Sequence, residues 1–167
     1  MKTISQLIIT MMICLFSIQT WAQSGKLFNT DNQLSSNLAT QVFQDKSGFI
    51  WIATRNGLNT YDGYNITVIK KDMSNFLGLN SNYINSIAQD EKEHILLGTN
   101  NSLLEFTGSE FLKIPMLDSK GKELATYVKQ IYPLRNKDVA VATSGYGIML
   151  KKQDEQKCHA MKGEVEK

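Results

Sequence analysis

The chain is poor in the residues that do chemistry. Its 167 residues include only two cysteines, Cys14 and Cys158, and two histidines, His94 and His159. Cys14 lies in an N-terminal segment read below as removable. One remaining cysteine cannot close an internal disulfide, so a disulfide framework is excluded. No His/Cys/Asp/Glu spacing matches a metal site, and neither a phosphate loop nor a Gly-x-Ser-x-Gly elbow is present. No catalytic residue and no cofactor is therefore expected. Charge of one sign is also lacking: 18 basic and 16 acidic side chains leave +2. Without a Lys/Arg stripe, nucleic acid is not an expected partner. Past the N-terminus no run of about 18 apolar residues occurs, so no membrane span is expected. What is present, 42% hydrophobic and 20% charged residues, is the make-up of a folded chain. The length predicts one domain.

The first residues, MKTISQLIITMMICLFSIQTWAQS, have a basic start at Lys2 and an apolar stretch from Leu7 to Ile18. As a helix that stretch would span roughly 18 Å, against the ~30 Å of a bilayer core. Thr20 and Ala22 then supply small residues before a cleavage point. The segment 1–22 reads as a secretory signal rather than a buried helix. Met12 and Ile13 stand before Cys14 where a lipid-anchoring site wants small residues. The mature protein is expected to be exported to a periplasmic space.

The densest pattern is internal repetition. Adding 45 to each number brings Ser36 onto Ser81, Val42 onto Ile87, Asp45 onto Asp90, Trp51 onto Leu96, Thr54 onto Thr99, Leu58 onto Leu103 and Gly63 onto Gly108. Adding 44 more finds Val128, Ile131 and Thr143, and one extra turn residue then aligns Gly147 and Ile148 with Gly57 and Leu58. A period in this range means an array of small units. The units fall near 36–80, 81–124 and 125–152. Residues 153–167 are polar and aperiodic and are expected to be a disordered tail.

One unit reads as four strands. ATQVFQ (39–44) is followed by a turn from Asp45 to Gly48, where Asp first and Gly last suit a type I turn. FIWIAT (49–54) follows, then an Asn56-Gly57 hairpin, then Leu58 to Tyr61, then an Asp62-Gly63 turn and YNITVIK (64–70). The second strand is apolar without alternation, so both of its faces should be covered. Small repeated sheets stacked face to face around an axis make a β-propeller; a sandwich would show alternation and need no fixed period. The expected fold is all-β, a partial β-propeller of about three four-stranded blades over residues 23–152.

The pattern Gln-Asp-x-x-Gly-x-Ile-Trp-x-x-Thr-x-x-Gly-Leu-x-x-Tyr-Asp-Gly, residues 44–63, resembles the two-component regulator propeller repeat. The second copy departs from it at Glu93, Leu96 and Ser102. The third keeps Thr143, Gly147 and Ile148. The resemblance implies the extracytoplasmic sensor region of a hybrid two-component histidine kinase, many of which come from glycan-degrading bacteria. Kinase activity would then reside in other domains. Propellers close with about four to eight blades; the resemblance implies about seven, of which three units fill less than half. The expected partners are therefore the remainder of a longer or split sensor kinase, or a second copy joined through open blades. The alternatives are a small secreted propeller-type enzyme, lyase-like, and a protein-interaction scaffold.

Several residues have structural readings. Asp45 and Asp90 head turns. Gly48, Gly57 and Gly63 occupy turn positions. Trp51 and Leu58 are core, Thr54 and Thr99 close a strand, and Tyr61 and Asp62 complete the motif. The turns between second and third strands share a face with the crossovers between blades. That rim would carry Arg55, Asn56, Asn82, Tyr83, Asn100, Asn101 and Tyr146. Amides, tyrosines and an arginine there suit an oligosaccharide.

Overall fold

The computed structural model describes residues 25, 27–71 and 78–161. The segment read as a signal, 1–22, lies outside them. Among the described residues, no helix is long and apolar enough to cross a membrane.

The first sheet runs β1 (Ala39–Gln44), β2 (Ile50–Thr54), β3 (Gly57–Tyr61) and β4 (Ile66–Ile69), in that spatial order and antiparallel throughout. The second repeats it with β5 (Ile84–Gln89), β6 (Ile95–Thr99), β7 (Leu103–Phe106) and β8 (Phe111–Ile114). Turn chemistry sets the hairpins. The Asp45 carboxylate accepts the Phe49 N–H at 3.0 Å and the Trp51 indole N–H at 2.7 Å. Gly48 closes that turn at φ 92°, in the left-handed region that favours glycine.

The third sheet differs. It has five strands, ordered β10 (Val128–Pro133), β11 (Val139–Thr143), β12 (Ile148–Lys151), β13 (Cys158–Ala160) and β9 (Met116–Leu117), the last pair parallel. Two expectations are corrected here. The third unit does not end at 152, and residues up to 160 are not a disordered tail. Cys158 is fully buried, and its strand pairs with Lys151 on one side and Met116 on the other. The sequence reading failed because a three-residue strand is too short to show a period.

The sheets stack through two apolar layers. Trp51, Ala53, Leu58 and Ile69 meet Ile84, Ile87, Ile95, Leu97, Leu104 and Phe111. Their counterparts one unit on, Leu96 and Leu103, meet Val128, Ile131, Val139, Val141 and Met149. Gly98 takes the place of Ala53 and lets β10 come close: a Cβ there would lie 2.5 Å from Val128 Cγ1. The middle sheet is covered on both faces, and every residue of β6 is buried. In the first sheet, Phe49 and Val42 remain 45% and 63% exposed. The unbroken apolar run thus marks burial in β6 and, Ile50 being half-buried, nearly throughout β2; the exposed outer positions are Phe49, just before β2, and Val42 on β1. The segment before β1 shields some of the first sheet's outer face. Ser35 N–H donates to Asn59 at 2.8 Å, and Phe28 packs edge-on against Tyr61 at 4.9 Å.

Val42 and Ile87 occupy the same repeat position, 63% and 1% exposed. Ile87→Ala should cost about 2–5 kcal/mol and Val42→Ala under about 0.5 kcal/mol, read from urea melts. Burial pushes the Cys158 thiol up to about 12, with Lys151 pulling the other way. Alkylation at mildly alkaline pH should label Cys158 only after unfolding, as peptide mapping would reveal.

Candidate ligand-binding rim

Each first strand carries a ladder irregularity at one repeat position, between Ala39 and Gln41, Ile84 and Ser86, and Val128 and Gln130. Such a bulge re-aims the extra side chain. The extra residues are Thr40, Asn85 and Lys129, and all three line one cavity of about 550 Å³. Leu38, Tyr83 and Tyr127, again one repeat position, line it too, together with Ala39 and Arg55. The cavity thus lies where equivalent positions of three sheets converge, on the side of the β2–β3 turn.

Its groups brace one another. The Arg55 guanidinium lies over the Tyr83 ring, 5.6 Å from the centroid, a cation–π contact. The Tyr83 and Tyr127 rings are 6.1 Å apart and tilted by 57°. Tyr127 donates its hydroxyl to Asn85 at 2.8 Å, and the Asn85 amide donates to the Val128 carbonyl at 3.1 Å. Partial desolvation, then the neighbouring Tyr83 hydroxyl, hold the Tyr127 phenol above its usual range, against a smaller pull from Arg55. It stays a neutral hydrogen-bonding group at neutral pH. Two cations and no carboxylate line the cavity. Aromatic faces, an amide and cations together suit a polar ligand that stacks and accepts hydrogen bonds.

Of the rim residues expected from sequence, Arg55 and Tyr83 are brought together here. Asn56 is exposed in the turn beside Arg55. Asn82 braces the crossover: its side-chain oxygen accepts Lys71 N–H at 2.7 Å and its carbonyl accepts Gly57 N–H at 2.7 Å. Asn100 accepts the Ser81 hydroxyl, and Asn101 the Thr99 hydroxyl. Tyr146 is 49% exposed and outside the cavity. Asn85, Tyr127 and Lys129 were missed. The repeat register applied to Tyr83 points to Tyr127; Thr40, also missed, shares with Asn85 and Lys129 a ladder irregularity that strand pairing alone reveals.

The motif residues act locally. The Thr54 hydroxyl donates to the Gly57 carbonyl at 2.7 Å, and that of Thr99 to the Ser102 carbonyl at 3.0 Å. Asp62 accepts N–H bonds from Asn65 and Tyr64, which hold its carboxyl below the usual range. Tyr61 donates to the Gly63 carbonyl. Strand pairing also gathers Asp90, His94 and Glu105, among the described residues the one group placed to hold a metal ion. Sequence spacing could not reveal it, because Glu105 comes from a neighbouring strand.

Residues 33–56 and 78–101 match the family profile described as the two component regulator propeller. No curated protein matches the chain. Among solved structures, the chain is similar to the extracellular domain named for the one component system BT4673 of B. thetaiotaomicron. The identity is 18% and the TM-score 0.63, over 78% of this chain and 19% of that one. The extracellular domain named for the hybrid two component system BT3049 of the same organism gives 19% and 0.61, over 77% and 17%. PorZ, a surface component of the type-IX secretion system of Porphyromonas gingivalis, gives 15% and 0.55, over 74% and 21%. The chain spans about a fifth of each, and the likeness is one of fold.

Proposed function

The chain carries two-component regulator propeller repeats, and from that premise we propose that it is an extracytoplasmic sensor module whose rim binds glycan-derived ligands. The observation that carries the reading is the convergence of Arg55, Tyr83, Tyr127, Asn85 and Lys129 on one cavity. Sugars offer hydroxyls to amides and cations and C–H faces to tyrosine rings. An acidic oligosaccharide suits the two cations best. The similar extracellular domains, one named for a one component and one for a hybrid two component system, support export and a signalling role. Kinase output would belong to other domains.

A second role is favoured by one face of the third sheet. Gln130, Tyr132, Ala140, Ala142 and Ile148 line a shallow apolar groove there. By repeat position these are the residues that, as Gln41, Phe43, Trp51, Ala53 and Leu58, pack the first sheet onto the second. Tyr132 is 64% and Ile148 53% exposed. Gln41 clamps the Ile87 backbone with two bonds, 2.9 and 2.8 Å; Gln130 is its exposed equivalent. We read this face as the seat of a further blade of the same repeat.

Calorimetry with acidic oligosaccharides should detect binding. The pair Arg55→Ala and Tyr83→Ala should weaken it by about tenfold or more, or ~1.4 kcal/mol, while Tyr146→Ala leaves it intact. Binding unchanged by the pair would retire the rim. Light scattering on the isolated chain should show concentration-dependent association that Ile148→Glu abolishes. A monomer at all concentrations would remove the second role.

A further inference from the structure

We propose that Asp90, His94 and Glu105 form a binding site for a divalent transition-metal ion of the zinc class. Asp90 precedes the β5–β6 turn. One of its oxygens accepts the N–H groups of Lys92 and His94, both at 2.9 Å. The other then lies 3.8 Å from His94 Nδ1. Pairing of Leu96 with Glu105 brings β7 alongside, and Glu105 Oε1 sits 2.8 Å from the same nitrogen. The three donor atoms lie within 4.8 Å of one another. An ion about 2.1 Å from each donor reaches donor pairs up to about 4.2 Å apart, so a small side-chain movement closes the set.

The first repeat explains why the second needs an ion. There the positions are Asp45, Phe49 and Thr60, and the Trp51 indole occupies the second Asp45 oxygen at 2.7 Å. In the second repeat Leu96 replaces Trp51. Among the described residues no N–H or O–H donor takes the place of that indole on Asp90. At the same time a histidine replaces Phe49 and a glutamate replaces Thr60. Asp90 is 7% and Glu105 1% exposed, with one imidazole between two carboxylates. Buried charge without a full counter-charge is costly. Lys151 on the facing sheet is itself buried, yet forms no ion pair with the three among the described residues. A divalent ion offsets both carboxylates while the imidazole binds as a neutral ligand.

One nitrogen and two carboxylate oxygens favour zinc over magnesium or calcium, which take all-oxygen shells. His94 is partly exposed, leaving a side from which the ion enters and water completes the shell. Bound there, the ion ties the β5–β6 turn to β7 and stiffens the middle sheet. The third repeat has Leu134 and Asp138 in place of Asp90 and His94, so one ion per chain is expected.

The test is calorimetric titration of tag-free, chelator-stripped protein with Zn²⁺, with Co²⁺ as a spectroscopic stand-in. One ion should bind, raise the melting temperature and give Co²⁺ the visible absorption of a low-coordinate site. His94→Ala and the near-isosteric Glu105→Gln should each weaken binding by more than the roughly 10–100-fold that loss of an outer-shell partner costs. His159→Ala, near Glu155 in the third sheet, should bind as the parent does. No binding by the parent would overturn the site. So would affinity that survives both substitutions or is lost with His159.

Discussion

Everything in this structure depends on how one sheet accepts the next. The first strand of each sheet is an edge, with backbone groups that β2, β6 or β11 cannot reach. The preceding sheet supplies partners for them. Thr40 donates to the Ile84 carbonyl and Gln41 clamps Ile87. Asn85 donates to Val128, and Ser86 accepts from Ile131. These bonds pin the inner edges at one spacing, and the apolar layers behind them follow. Polar stitching thus sets the geometry, while burial of residues such as Leu97 and Val141 supplies most of the stabilisation.

The rim is a by-product of the same stitching. The bulge that frees Thr40 and Asn85 to reach the next sheet also points them at the common axis. Lys129 inherits that position in the third sheet, where the following partner would stand, and so presents a cation instead. Tyr83 and Tyr127 precede the bulges and are carried to the same place. The cavity lining and the stacking of sheets therefore draw on neighbouring positions of one repeat. A ligand that bridges Arg55 and Tyr127 would touch the first and third sheets at once. That is a physical route by which occupancy could bear on their packing.

The middle sheet shows how a repeat diverges without losing its fold. Trp51 and Asp45 form a self-contained pair in the first copy. The second copy gives up the indole and gains His94 and Glu105, yet β5–β8 keep the register of β1–β4. Strand pairing constrains the backbone and leaves side chains facing a neighbouring sheet free to change, provided polar groups find partners.

Much of the fold was legible in the chain itself. A 45-residue period, turn chemistry at Asp45–Gly48, Asn56-Gly57 and Asp62-Gly63, and the apolar run at 50–53 are local signals. They specify four strands and covered faces because hairpins form between neighbours in sequence. Arg55 and Tyr83 were also legible, since turn and crossover positions follow from the blade plan. The rest needed the tertiary structure. Strand β13 exists because Met116 and Lys151 offer it two edges, a long-range fact invisible in three residues. Asn85, Tyr127 and Lys129 meet Arg55 only because three bulges point at one axis. Asp90, His94 and Glu105 meet only because β7 lies beside β6. Sequence determined what each unit is; the stacking of units decided which of their side chains share a site.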